Sequence, residues 1–184
     1  MPINLPNLLT ILRILLTPLF VIVLLRDLFG LALLIFTIAG ISDGLDGFIA
    51  RYFNQRTSLG AYLDPIADKL LLVSAFVSLA ILKIVPSWVT VIVISRDVLI
   101  VMGIAIFTIT EKSYKIKPSI ISKITTAAQI TTIILALVHV NLAGYSMLMK
   151  TLFWVTAGLT TVSGLHYIYF GMNILQNGSK KKEP

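Results

Sequence analysis

The sequence contains no cysteine, which excludes disulfides and thiolate metal sites. Acid is scarce as well: eight Asp and Glu stand against fifteen Lys and Arg, a net charge of +7. There is no internal repeat and no low-complexity segment. No cleavable signal peptide is expected, because the N-terminus lacks a basic start and Arg13 interrupts the first apolar run. The two histidines, His139 and His166, stand alone among apolar neighbours and read as packed or interface residues rather than ligands. A basic chain of this kind could bind nucleic acid, but no arginine–aromatic cluster supports that partner.

What the chain has in abundance is apolar surface. Hydrophobic residues make up 57% of it and the mean hydropathy is +0.95, well above a soluble domain. The expected fold is therefore all-α, a polytopic membrane protein with a bundle of about six transmembrane helices. The apolar runs place them near Leu8–Leu25, Leu28–Ile49, Leu59–Ile84, Pro86–Thr110, Ser119–Leu142 and Ser146–Leu175. Residues 2–7 form a short lead-in, residues 1–175 one domain, and 176–184 a basic, disordered tail. With the N-terminus inside, inner loops hold Arg51, Arg56, Lys112, Lys115, Lys117 and Lys180–Lys182, and outer loops only Arg26, Lys83 and Lys150. That bias puts both termini on the cytoplasmic side of a cell membrane. Trp88, Tyr145, Tyr167 and Tyr169 read as interface anchors or packing residues.

Half of the scarce acid lies in one window. Asp43 and Asp46 are three residues apart at the end of the second run, and Asp64 and Asp68 are four apart at the start of the third. On helices each pair shares a face. If the helices pack side by side, four carboxylates meet in one space and repel. Divalent cations with a preference for hard oxygen, Mg²⁺ or Mn²⁺, relieve this, and two ions could share the four groups. Gly40, Gly44 and Gly47 let a helix or ligand come close, and Arg51 offers a guanidinium suited to phosphate. Polar caps at the membrane interface are the plainer reading, and they leave the clustering of four acids unexplained.

The window as a whole, Asp43-x2-Asp46-Gly47-x2-Ala50-Arg51-x8-Gly60-x3-Asp64-x3-Asp68, resembles the signature of the CDP-alcohol phosphatidyltransferases, integral membrane enzymes of phospholipid synthesis. The resemblance implies two metal ions on Asp43, Asp46, Asp64 and Asp68, with Asp68 also taking the proton from the attacking hydroxyl. It implies a nucleotide site shaped by Gly47, Ala50, Arg51 and Gly60, and CDP-diacylglycerol as donor in the lipid bilayer. A homodimer is implied by the resemblance alone.

Softer stretches, Asn4–Arg13, Leu59–Leu72, Ile94–Asp97 and Lys123–Gln129, are similar to phosphatidylglycerophosphate synthases, which use glycerol 3-phosphate, and to eukaryotic-type cardiolipin synthases, which use phosphatidylglycerol. Asp97 after Arg96, and Lys117-Pro118-Ser119-Ile120-Ile121-Ser122-Lys123, lean toward the second group. Glycerol 3-phosphate is taken as the acceptor because it is the commoner bacterial activity. Thr10 and Arg13, one turn apart, could line the nucleotide pocket; otherwise Arg13 snorkels. Arg96, deep in the fourth run, is expected to hold the acceptor phosphate, with a structural ion pair across helices as the alternative. Arg96 and Asp97 diverge by about 100° on a helix and need not pair with each other. Lys123, with Thr126 and Gln129 on one face, is the second candidate for that pocket.

Two other classes compete. A cation transporter or proton relay would spread its acids along a path through the bilayer and would not place Arg51 beside them. A non-catalytic lipid-binding scaffold would have no need of four aspartates.

Overall fold

The computed structural model describes residues 5–52, 58–109, 120–138 and 145–179, with side chains over 8–43, 67–103, 120–138 and 146–172. Six helices follow one another: α1 (Leu5–Leu24), α2 (Phe29–Tyr52), α3 (Ser58–Ile81), α4 (Ser87–Ile109), α5 (Ile120–Val138) and α6 (Tyr145–Ser179). No strand occurs among the described residues. Among the described residues each apolar run of the sequence holds one helix. Two displacements matter. Helix α1 already starts at Leu5, inside the expected lead-in. Helix α6 continues to Ser179, into the segment expected to be a disordered tail. Residues 180–184 lie outside the described residues, as does His139.

The helices end for local reasons. After α1 the chain turns through Asp27 at φ 60°, and after α3 through Lys83 at φ 59°. This left-handed conformation closes the last helical turn: the Leu28 N–H donates to the Val23 carbonyl (3.2 Å) and the Ile84 N–H to the Leu79 carbonyl (3.0 Å). Glycine would adopt it without strain, and neither position has one. Pro86 then precedes α4, and its carbonyl accepts from the Val89 N–H (3.0 Å).

The chain divides into two compact units, Met1–Val85 with Ile133–Tyr145, and Pro86–Thr132 with Ser146–Pro184. In the first, α1 packs against α2 and α3. Phe20, Leu24, Phe36, Leu72, Phe76 and Leu79 are buried, and the Phe20 and Phe36 rings lie 5.7 Å apart. The buried stripe of α1 is Thr10, Arg13, Thr17, Phe20 and Leu24, spaced alternately by three and four residues. It is polar at the N-terminal end and apolar at the other. Its outer face is Leu8, Ile11, Leu12, Leu15, Leu19 and Ile22, all exposed. Apolar residues out and polar residues in reverses the order of a water-soluble helix. In the second unit the Trp88 and Trp154 rings meet at a tilt of 42° with centroids 4.8 Å apart.

Among the described residues only α5 is both long and apolar enough to cross a bilayer by itself. The apolar stretches of α1 and α2, Leu8–Leu24 and Phe29–Asp43, are shorter.

Candidate active site

Helix α2 carries Asp43, Asp46, Gly47, Ala50 and Arg51, and α3 carries Gly60, Asp64 and Asp68. The three- and four-residue intervals between the acids both fall inside unbroken helix, the condition that the shared-face argument requires. Helices α2 and α3 are in contact, and α1 contacts both. The side chains of Asp46, Gly47, Ala50, Arg51, Gly60 and Asp64 lie outside the described residues. Asp43 and Asp68 are described, and both are partly buried. Among the described residues no three acidic or histidine side chains form one group.

Around Asp43 the geometry is definite. The Arg13 Nη1 lies 2.6 Å from the Asp43 Oδ1. The arginine side chain is fully buried, whereas that of Asp43 is 44% exposed. A buried guanidinium requires a counter-charge, and α2 supplies it across the helix interface. Thr10, one turn before Arg13, is also fully buried. Thr17, one turn after it, donates its hydroxyl to the Arg13 carbonyl (2.9 Å). The structure therefore brings Arg13 to the acidic window rather than leaving it to snorkel. Arg13 was expected at a nucleotide pocket; that it touches a carboxylate of the window was not legible, because it depends on how α1 packs on α2.

The donor set suits a hard divalent ion. The window offers carboxylate oxygen and neither imidazole nor thiolate. One of its carboxylates, Asp43, is half open to the outside while the other side is held by Arg13.

Arg96 and Asp97 of α4 form a second polar group, buried at 3% exposure each. They do pair: Arg96 Nη1 donates to Asp97 Oδ1 at 2.8 Å. Adjacent helix positions diverge, but the arginine stem is long enough to turn back, and burial of both charges favours it. Arg96 Nη2 donates to the Ser122 hydroxyl of α5 (2.6 Å) and the Ser163 hydroxyl of α6 (3.0 Å), and Nε also reaches Ser163 (3.3 Å). The guanidinium carbon lies 5.8 Å from the centre of the Tyr167 ring. Lys123, next to Ser122, is exposed.

Ser122 belongs to a hydroxyl seam that joins α5 to α6. Thr125 donates to the Leu159 carbonyl (3.2 Å), Gln129 Nε2 to the Thr160 hydroxyl (3.3 Å), and the Thr132 and Thr156 hydroxyls bond each other (2.8 Å). The spacing was visible in the sequence: Ser122, Thr125, Gln129 and Thr132 step by three, four and three residues. Of the face expected to be polar, Lys123, Thr126 and Gln129, only Gln129 lies in the buried seam. Thr126 is half-buried and Lys123 faces outward.

A family model described as CDP-alcohol phosphatidyltransferase matches residues 3–162. The chain belongs to the CDP-alcohol phosphatidyltransferase family. It is 34% identical over 193 residues to a cardiolipin synthase (CMP-forming) of Homo sapiens, covering 95% of this chain and 64% of that protein. It is 32% identical over 182 residues to a CDP-diacylglycerol–glycerol-3-phosphate 3-phosphatidyltransferase of Bacillus subtilis, covering 89% of this chain and 93% of that protein. A protein of the same description from Salmonella typhimurium is 36% identical over 178 residues, covering 91% and 94%. The chain thus spans just under two thirds of the human relative and nearly all of the bacterial ones.

Proposed function

We propose that this protein is an integral membrane phosphatidyltransferase that moves a phosphatidyl group from CDP-diacylglycerol to glycerol 3-phosphate, with release of CMP. The observation that carries the reading is the acidic window itself: all eight signature positions are present, in order, on the two helices α2 and α3. Family membership and the bacterial relatives support the reaction class.

Asp43, Asp46, Asp64 and Asp68 would hold the divalent ions, Mg²⁺ or Mn²⁺. When bound, such ions neutralise the charge on a diphosphate during displacement. The chain's own residues do the rest. Asp68 accepts the proton of the acceptor hydroxyl as its oxygen bonds to the phosphorus on the lipid side. The bond from that phosphorus to the CMP oxygen breaks, and CMP carries away the electron pair. Gly47, Ala50, Arg51 and Gly60 shape the nucleotide site, and Thr10 closes it from α1. For the acceptor phosphate, the exposed Lys123 is the available cation. Arg96, whose N–H groups donate to Asp97, Ser122 and Ser163, is read as a scaffold rather than a phosphate ligand.

The reading includes a multi-pass helical bundle with the window at the cytoplasmic edge. Its physical support is the leucine-rich outer face of α1, which is stable against lipid and costly against water.

A second acceptor is favoured by a specific observation: the similarity to a cardiolipin synthase extends over 95% of this chain. Phosphatidylglycerol would then replace glycerol 3-phosphate. The test is CMP release by the protein in lipid nanodiscs with CDP-diacylglycerol and Mn²⁺, with each acceptor supplied in turn. Release with glycerol 3-phosphate is expected. Release only with phosphatidylglycerol would transfer the chain to the second reading, and no release with either would remove the activity.

A further inference from the structure

We infer that Arg13 is a positioning residue for the metal site, holding one oxygen of Asp43 so that the other is presented to a divalent ion. The inference rests on the metal-dependent reading above and adds a role for α1, which carries none of the signature residues.

The asymmetry of the ion pair carries the argument. Arg13 is fully buried and sits 2.6 Å from Oδ1, yet the Asp43 side chain is 44% exposed. A pair that served only to neutralise a buried arginine would be expected to bury both partners, as Arg96 and Asp97 do. Here the cation is fixed in the protein and the anion faces outward. The ion pair takes one oxygen of Asp43 to the buried arginine, which leaves the other oxygen for a cation on the open side. Metal-ligating carboxylates commonly have such a supporting partner, and its loss typically weakens metal binding or activity by about 10–100-fold.

The charge balance agrees. Four carboxylates and two divalent ions sum to zero, so the Arg13 charge leaves the loaded site net positive toward a diphosphate. The stripe that delivers Arg13 is itself specialised: Thr10, Arg13 and Thr17 are the polar members of an otherwise apolar buried face.

The test separates charge from guanidinium geometry. Arg13→Lys keeps the charge and replaces a rigid, planar guanidinium by a rotating ammonium. Mn²⁺ binding to the full chain in nanodiscs, without substrate, is read by electron paramagnetic resonance, alongside the thermal midpoint. The expected result is a loss of Mn²⁺ affinity of about tenfold or more, with the midpoint near that of the parent protein. Unchanged Mn²⁺ affinity in Arg13→Lys would overturn the inference. Failure of the unsubstituted protein to bind Mn²⁺ would instead overturn the metal-dependent reading.

If Arg13→Lys does not fold, the aspartates supply a second measurement in chelator. Asp43→Asn should lower the midpoint by about 5 °C or more, because the buried guanidinium loses the negative charge beside its Nη1. Asp46→Asn should leave it unchanged or raise it, by relieving repulsion. Equal effects of the two would also overturn the inference.

Discussion

Two arginines are fully or almost fully buried among the described residues, one in each compact unit, and they are neutralised in different ways. Arg13 reaches across a helix interface to an aspartate that is half exposed. Arg96 turns back to its own neighbour, and Asp97, Ser122, Ser163 and the Tyr167 ring enclose it. On the reading proposed above, the difference separates a charge that serves a site from a charge that serves the frame. Burying a guanidinium costs several kcal/mol unless it is paired and hydrogen-bonded, so both positions must be explained. Around Arg96 the compensation comes from three helices, α4, α5 and α6. Around Arg13 the compensating anion is also part of the acidic window.

The comparison can be broken most severely at the window. Asp68→Asn should reduce turnover by about 10²–10⁴-fold, the range for loss of a general base, with the thermal midpoint little changed. Steady-state CMP release checks it, and near-normal turnover would remove Asp68 as the base. At the frame, Arg96→Ala should cost about 3 kcal/mol of stability, because Asp97 is left buried without its cation. Denaturation in detergent measures that loss. The acceptor KM of the surviving protein should move little; a large rise with stability intact would put Arg96 in the acceptor pocket. Smaller again is the seam. Thr132→Val and Thr156→Val should each cost about 0.6 kcal/mol, the average for hydroxyl contacts between membrane helices, and the double variant should cost less than their sum. A change of similar size, of opposite sign, lies at the turns: Lys83→Gly should stabilise by about 0.5–1 kcal/mol, since glycine enters the left-handed region freely.

Much of this was legible before any coordinates. The apolar runs located six helices because Arg26-Asp27 and Pro86 interrupt them with residues that end a run. The window was legible because its identities sit at fixed gaps. The Arg13–Asp43 pair was not, since it depends on α1 meeting α2 at one height, which no local pattern encodes. The Arg96–Asp97 pair was missed for the opposite reason. Helical geometry separates adjacent Cβ atoms, but the arginine stem is long enough to close that gap. The seam through Ser122, Thr125, Gln129 and Thr132 was present as a three–four rhythm, but an exposed lysine one step away drew the reading to the wrong face. The end of α6 was misjudged because a polar composition was equated with disorder, whereas the helix continues to Ser179.

The account depends on the aspartates being gathered to bind cations. Counting Mn²⁺ bound per chain at saturation, in the parent protein and with all four aspartates replaced by asparagine, tests that directly. The account predicts two ions in the first and none in the second. Equal binding in both, or none in the parent, would contradict it.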